Sequence, residues 1–116
     1  MTDNRENRPV KILLIEDDSA DADIIRGILS KHATLRFDVR HVQRLIAGLD
    51  LLNLGHPFDV VLLDLSLPDS HGLSTVEKVA GEFVDLPVVV LTGLDDEAVG
   101  VKAVETGAQD YVLKST

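Results

Sequence analysis

Residues 58–72 read FDVVLLDLSLPDSHG, and we expect the rest of the chain to be organised around this segment. Val60 to Leu63 is a wholly apolar run, long enough for a strand buried on both faces but too short for a buried helix. The run ends at a carboxylate, Asp64, and Pro68 then opens a turn-rich loop that reaches Gly72. Open α/β sheets place their chemistry at the carboxyl ends of buried parallel strands, which makes Asp64 a candidate functional residue. On this stretch alone, Asp64 is explained equally well as a turn-former or a helix cap.

Four more strands and four helices follow from the pattern of apolar residues on either side of this stretch. One strand differs from the others, because Leu35, Phe37 and Val39 alternate with charged residues, as in a strand with one wet face at a sheet edge. The predicted strands are Val10–Ile15, Leu35–Val42, Val60–Leu63, Val88–Leu91 and Tyr111–Leu113. The first predicted helix runs from about Ala20 to His32, and the second runs from Gln43 to Leu54 with Leu45, Ile46, Leu49 and Leu52 pointing inward. The third starts near Leu73 and carries Val76, Val79 and Phe83 at helical spacing. The fourth begins at the acidic residues Asp95, Asp96 and Glu97 and ends at Gly107.

Strictly alternating strands and helices predict an α/β fold with a doubly wound five-stranded parallel sheet. The second strand, with one face exposed to solvent, favours the flavodoxin-like order 2-1-3-4-5, which places that strand at an edge. We expect residues 1–9 to be a disordered lead-in and residues 10–116 to form the domain. A fifth helix normally covers such a sheet beside the first, and we expect it to be absent from this chain.

Composition excludes several classes of function. The chain has 116 residues, enough for one domain with a real core, and a net charge of −9. An acidic domain has no basic field to meet phosphates, so we expect no nucleic-acid binding by this domain. Cysteine is absent, which rules out disulfides and thiolate metal sites. Neither a signal peptide nor an apolar run of membrane-spanning length is present in the sequence, and we expect a cytoplasmic protein without a membrane partner.

Polar residues follow four of the predicted strands: Glu16 and Asp17, then Asp64, Thr92 and Lys114. The carboxyl ends of parallel strands share one edge of a sheet, so these side chains should converge. Unpaired carboxylates so close together would have raised pKa values, and one lysine cannot neutralise three of them. Mg²⁺ suits such a sparse set of oxygen ligands. A carboxylate, a metal ion, a hydroxyl and an ammonium around one point indicate phosphoryl transfer, with Asp64 as the nucleophile.

The motifs that follow these strands resemble the receiver domain of two-component response regulators over residues 10–114. They are IEDD at 15–18, LDLSLPDSHG at 63–72, LTG at 91–93 and YVLK at 111–114. The resemblance implies a signalling domain that catalyses only its own phosphotransfer and dephosphorylation. It also implies that Asp64 accepts a phosphoryl group from the phosphohistidine of a histidine kinase.

The same resemblance assigns roles to the surrounding residues. It implies that Asp17 binds Mg²⁺ directly, that Glu16 binds it through water, and that the backbone carbonyl of Ser66 is a further ligand. Thr92 and Lys114 would hold the phosphoryl group, and Tyr111 would be the aromatic switch that turns inward when Thr92 moves.

Two positions affect how the motifs align with the family. The acidic pair reads as Glu16-Asp17, because Glu16 directly follows the apolar run, although Asp17-Asp18 is the alternative. The family usually carries proline after the lysine, often with a cis peptide bond. Ser115 stands there in this chain, so Lys114 should precede a trans bond, since a cis bond before a residue other than proline costs about 3 kcal/mol.

Two other classes of function compete with the phosphorylated receiver. One is a pseudo-receiver, an interaction domain on the same fold that works without phosphorylation; such domains commonly lose the acidic pair, the aspartate or the lysine, and all are present here. The other is an aspartyl-phosphate hydrolase of the haloacid dehalogenase type, which usually has its nucleophile after the first strand and a second Asp two residues later. Here Ser66 holds that second position. The cognate kinase, the output and homodimer formation are left open.

Overall fold

A computed structural model describes residues 8–93 and 96–114. In this part of the chain, a five-stranded parallel sheet is flanked by four helices, which confirms the predicted fold class. In chain order the elements are β1 (Val10–Ile15), α1 (Ser19–Ser30), β2 (Phe37–Val42), α2 (Leu45–Asn53), β3 (Val60–Asp64), β4 (Ser66–Leu67), β5 (Ser70–His71), α3 (Leu73–Ala80), β6 (Val88–Thr92), α4 (Glu97–Thr106) and β7 (Asp110–Leu113).

The strands of the main sheet lie in the order β2-β1-β3-β6-β7. This is the predicted order 2-1-3-4-5, because β6 and β7 are the fourth and fifth long strands along the chain. The alternating strand β2 lies at an edge, as its half-wet pattern indicates. The short strands β4 and β5 were not predicted; they pair antiparallel within the loop after Asp64. The backbone N–H of Gly72 donates to the carbonyl of Leu65 at 2.8 Å and closes this hairpin.

The core is divided between the two faces of the sheet. The larger cluster packs α2, α3 and α4 against one face, and its fully buried members include Leu13, Leu63 and Val90. The smaller cluster lies under α1, where Ala22 packs with Leu14 and Leu91. On this second face two isoleucines of α1 are only partly covered: Ile24 is 50% exposed and Ile28 is 66% exposed.

Two side-chain assignments of the sequence analysis were wrong. Ile46 was expected to point inward but is 56% exposed, since the buried face of α2 is formed by Leu45, Leu49 and Leu52. These three residues recur at helical spacing, and Ile46 lies one position to the side. Phe83 was placed on the third helix, which ends at Ala80; it packs against the core from the turn that follows.

Three expectations lie outside the described residues. They are the disordered lead-in, for residues 1–7, the contribution of Asp95 to the start of the fourth helix, and the peptide bond between Lys114 and Ser115.

Candidate functional site

The carboxyl ends of β1, β3, β6 and β7 meet at one edge of the sheet, as the parallel pairing requires. Asp64 pairs in register with Leu91, the residue before Thr92. The backbone N–H of Lys114 donates to the carbonyl of Thr92 at 2.6 Å, which fixes the end of β7 beside the end of β6. A cleft of about 430 Å³ opens over these ends, and Asp64, Thr92 and Lys114 line it. The structure therefore brings together residues that are up to 98 positions apart in the chain.

Three carboxylates lie side by side at this edge. One oxygen each from Glu16, Asp17 and Asp64 lies within 4.8 Å of the others, close enough to share a metal ion. Glu16 is fully buried, and its Oε2 atom makes no hydrogen bond within the described residues. Burial, followed by the contact with Asp64, raises the pKa of Glu16 to about 8. A buried carboxylate oxygen without a partner beside two more carboxylates fits a divalent cation with oxygen ligands.

Lys114 is the basic partner of these acids. Its Nζ atom donates to Glu16 Oε1 at 2.9 Å and to Asp21 Oδ2 at 3.2 Å, and it lies 3.7 Å from Asp64 Oδ2. Burial on its own would lower the pKa of Lys114, but the hydrogen bond to Glu16 and the charges of Asp64 and Glu16 outweigh it, so the pKa is raised. The lysine therefore remains an ammonium, with its charge directed at the carboxylates.

Thr92 and Tyr111 occupy neighbouring strands. Thr92 is buried and lines the cleft, and its Oγ1 atom has no hydrogen-bond partner among the described residues. The half-buried ring of Tyr111 lies against α4 at Gly100, where an added Cβ would be 2.6 Å from ring atom Cδ2. The Tyr111 hydroxyl donates to Glu97 Oε1 at 3.3 Å.

The loop that follows Asp64 is held at both ends. The backbone N–H of Ser66 donates to Asp64 Oδ1 at 3.2 Å, which places Ser66 beside the carboxylate and in the lining of the cleft. Further along, Asp69 reaches α2 and accepts the backbone N–H groups of Leu45 and Ile46, both at 2.9 Å. Slight burial would raise the pKa of Asp69, but these two backbone donors outweigh it and the pKa is lowered.

The three acidic residues after the first strand have different environments. Asp18 is exposed and caps α1, because its Oδ1 atom accepts the backbone N–H groups of Ala20 and Asp21. Glu16 is the buried acid, and its backbone carbonyl lies 2.6 Å from His41 Nε2 on the neighbouring strand. Asp18 therefore serves as the helix cap, while Glu16 and Asp17 lie beside Asp64.

Sequence reasoning missed three contacts here: Asp21 with Lys114, Asp69 with α2, and His41 with the carbonyl of Glu16. The first had a usable signal, since a cap at Asp18 places Asp21 in the first helical turn. The other two join segments 23 to 25 positions apart, and no local pattern predicts them.

Comparison with known proteins identifies the family of this chain. The family model described as the response regulator receiver domain matches residues 12–116, and the chain belongs to that family. It is a signalling domain of two-component systems rather than a conventional enzyme. Over 105 residues the chain is 33% identical to the cell cycle transcriptional regulator CtrA of Caulobacter vibrioides, covering 90% of this chain but only 44% of that relative.

Solved structures of similar proteins include two with informative states. The Mn²⁺-bound form of the response regulator Rcp1 superposes with a TM-score of 0.79 at 27% identity, covering 92% of this chain and 82% of that one. The phosphorylated cyanobacterial phytochrome response regulator RcpA superposes with a TM-score of 0.77 at 27% identity, covering 94% of this chain and 83% of that one.

Among the described residues, no helix is both long enough and apolar enough to span a membrane.

Proposed function

We propose that this domain is a phosphorylation-dependent switch that accepts a phosphoryl group on Asp64 from the phosphohistidine of a histidine kinase. The observation that carries the proposal is one cleft lined by Asp64, Thr92 and Lys114, with Glu16 and Asp17 beside Asp64. Two buried oxygens at this edge, Glu16 Oε2 and Thr92 Oγ1, have no partner within the described residues. The first suits a cation and the second suits an oxygen of a bound phosphoryl group.

Mg²⁺ is the metal ion we propose for this domain. Glu16, Asp17 and Asp64 would hold it, together with the backbone carbonyl of Ser66. When bound, it would neutralise negative charge on the phosphoryl oxygens during transfer. The Mn²⁺-bound form of Rcp1 supports a divalent cation in a similar protein.

The transfer step is a displacement at phosphorus. A carboxylate oxygen of Asp64 forms a new bond to phosphorus while the P–N bond to the donor imidazole breaks, and the imidazole nitrogen keeps that electron pair. Lys114 then exchanges its contact with Asp64 for one with a phosphoryl oxygen, and Thr92 donates its free hydroxyl to another. Both groups stabilise charge that increases during transfer.

The output of the switch would follow from the movement of Thr92. If its hydroxyl turns toward the phosphoryl group, it vacates volume near the neighbouring strand, where Tyr111 lies against Gly100 and Glu97. Tyr111 would then leave its hydrogen bond with Glu97 and turn inward. This change would alter the surface of α4 and β7 that is available to a partner.

We propose that the protein acts in the cytoplasm.

Labelling with a small phosphodonor tests this function. Incubation with acetyl phosphate and Mg²⁺, followed by intact mass spectrometry, should add one phosphoryl group to the protein and none in the presence of excess EDTA. Asp64→Asn should remove the label, and Asp85→Asn, at an exposed position, should keep it. Failure of the unaltered protein to be labelled by acetyl phosphate or by phosphorylated kinases would favour the pseudo-receiver, which binds its partner without phosphorylation.

A further inference from the structure

Lys114 has more acidic partners than the proposed phosphoryl transfer requires. Its ammonium contacts Glu16, Asp21 and Asp64, and the Asp21 contact at 3.2 Å is a hydrogen bond, whereas the Asp64 contact at 3.7 Å is too long to be one. Asp21 is not part of the metal-binding set, and no role for it follows from the strand ends. Its side chain and that of Lys114 are 21% and 20% exposed, so the pair is partly shielded from water.

The position of Asp21 is fixed by the start of α1. Asp18 caps this helix and accepts the backbone N–H of Asp21 at 3.2 Å, which anchors the residue in the first turn. Negative charge is favoured there by the helix dipole. The carboxylate of Asp21 also lines the cleft, beside Lys114 and Asp64. Asp21 therefore contacts the ammonium from a helix, whereas Glu16 and Asp64 contact it from the sheet.

An ammonium group has three N–H donors and no acceptor. Glu16 and Asp21 accept hydrogen bonds from two of the N–H donors of Lys114. The third donor is left for a partner on the side of Asp64, whose Oδ2 atom lies 3.7 Å from Nζ. A cation bound by Glu16 and Asp64 would share their negative charge and weaken their attraction for the lysine. Asp21 lies outside the metal-binding set, so its charge would stay available for Lys114 throughout the reaction.

We propose that Asp21 is a positioning residue for Lys114: it holds the ammonium so that the free N–H points at Asp64 and at the phosphoryl group bound there. This inference rests on the proposed function, because the phosphoryl group is the target of the lysine. Asp21 itself does not touch the reacting atoms. Its contribution to phosphorylation passes entirely through Lys114.

Four variants test the inference with two measurements. Asp21→Asn removes the charge at constant shape, Asp21→Glu keeps the charge, and Lys114→Ala removes the partner. Asp23→Asn is the matched control, since Asp23 lies on the same helix, is exposed and pairs with Arg26 instead. The first measurement is the rate of labelling by acetyl phosphate in Mg²⁺. The second is the rate at which the Lys114 ammonium protons exchange with water, followed by NMR of ¹⁵N-lysine-labelled protein without any phosphodonor.

We expect Asp21→Asn to slow labelling about threefold to tenfold, as for the loss of one partly shielded ion pair. Exchange of the Lys114 ammonium should be faster by a similar factor. Asp23→Asn should change neither rate, and Asp21→Glu should recover most of both. In the Lys114→Ala background, Asp21→Asn should have no further effect on labelling, because the two residues act as one unit.

The two measurements separate failure of this inference from failure of the proposed function. If the unaltered protein is not labelled, the proposed function fails, and ammonium exchange still decides whether Asp21 holds Lys114. If labelling occurs and Asp21→Asn leaves ammonium exchange unchanged, the positioning role is refuted. Multiplicative effects of Asp21→Asn and Lys114→Ala on labelling would also refute it, since they would place the action of Asp21 elsewhere.

Discussion

Replacing Asp69 with alanine should destabilise the whole domain through α2, although Asp69 lies in the turn between β4 and β5 and not in that helix. The residue at the N-cap position of α2, Arg44, makes no side-chain capping bond. Asp69 supplies the cap instead, accepting the backbone N–H groups of Leu45 and Ile46 at 2.9 Å each. The substitution removes the acceptor of both N–H groups and frees the loop that follows Asp64 from its attachment to α2.

The magnitude follows from the two hydrogen bonds and the negative charge that the substitution removes. Removing a capping side chain costs about 0.5–2 kcal/mol, and a negative charge at an exposed helix N-terminus contributes about 0.3–1 kcal/mol. Because Asp69 is exposed, we expect a decrease of about 1.5 kcal/mol in the free energy of unfolding. For a domain of this size, that lowers the midpoint of thermal unfolding by about 5–8 °C.

The effect should also depend on pH with a definite sign. The pKa of Asp69 is lowered in the folded state, so its contribution is present above the ordinary aspartate pKa and is lost as pH falls through the folded-state value. Unfolding curves of Asp69→Ala and the unaltered protein should therefore differ at neutral pH and converge in acid.

Urea unfolding at several pH values measures this difference, and hydrogen exchange locates it. The amide protons of Leu45 and Ile46 should exchange faster in Asp69→Ala, while amides of β1 and β3 should change only as global stability does. Asp85→Ala, at an exposed loop position, is the control. Equal stability of Asp69→Ala and the unaltered protein at neutral pH, with unchanged amide exchange at the start of α2, would refute the assignment of Asp69 as the cap.

Three further predictions concern the site. The affinity for Mg²⁺ should rise with pH and level off above about 8, because the pKa of Glu16 is raised to about 8 and the acid must lose its proton to bind a cation. Isothermal titration calorimetry measures this affinity, and an affinity that does not change between about pH 6 and 8 would contradict the prediction. Lys114→Ala should retain Mg²⁺ binding but label slowly, and loss of metal binding in the same titration would argue against its role. Gly100→Ala should displace the ring of Tyr111, since the new Cβ would lie 2.6 Å from it, so an unchanged Tyr111 spectrum in NMR would count against the observed packing.

Most of the fold could be predicted from the sequence because each long strand carries its own signal. Val60 to Leu63 and Val88 to Leu91 are apolar throughout, as buried parallel strands require, and the alternation around Val39 marks an edge. Once the sheet is parallel, the convergence of Asp64 and Lys114 follows from topology.

The rest depended on contacts between segments that have no local signature. The hairpin of β4 and β5 is two residues on each side, too short for an alternating pattern to appear. Ile46 was misplaced because the apolar residues of α2 offer more than one face, and tertiary packing buries the face formed by Leu45, Leu49 and Leu52. The contact of Asp21 with Lys114 was missed even though the cap at Asp18 places Asp21 in the first turn of α1, because the position of the Lys114 ammonium depends on side-chain geometry.

The most direct test of the proposed switch is to locate the phosphoryl group. After reaction with acetyl phosphate and Mg²⁺, reduction with borohydride converts an aspartyl phosphate to homoserine, and tandem mass spectrometry of the peptides identifies the modified residue. We predict homoserine at position 64 and at no other aspartate. A product at another aspartate, or labelling that persists at full level in Asp64→Asn, would contradict the assignment of Asp64 as the acceptor.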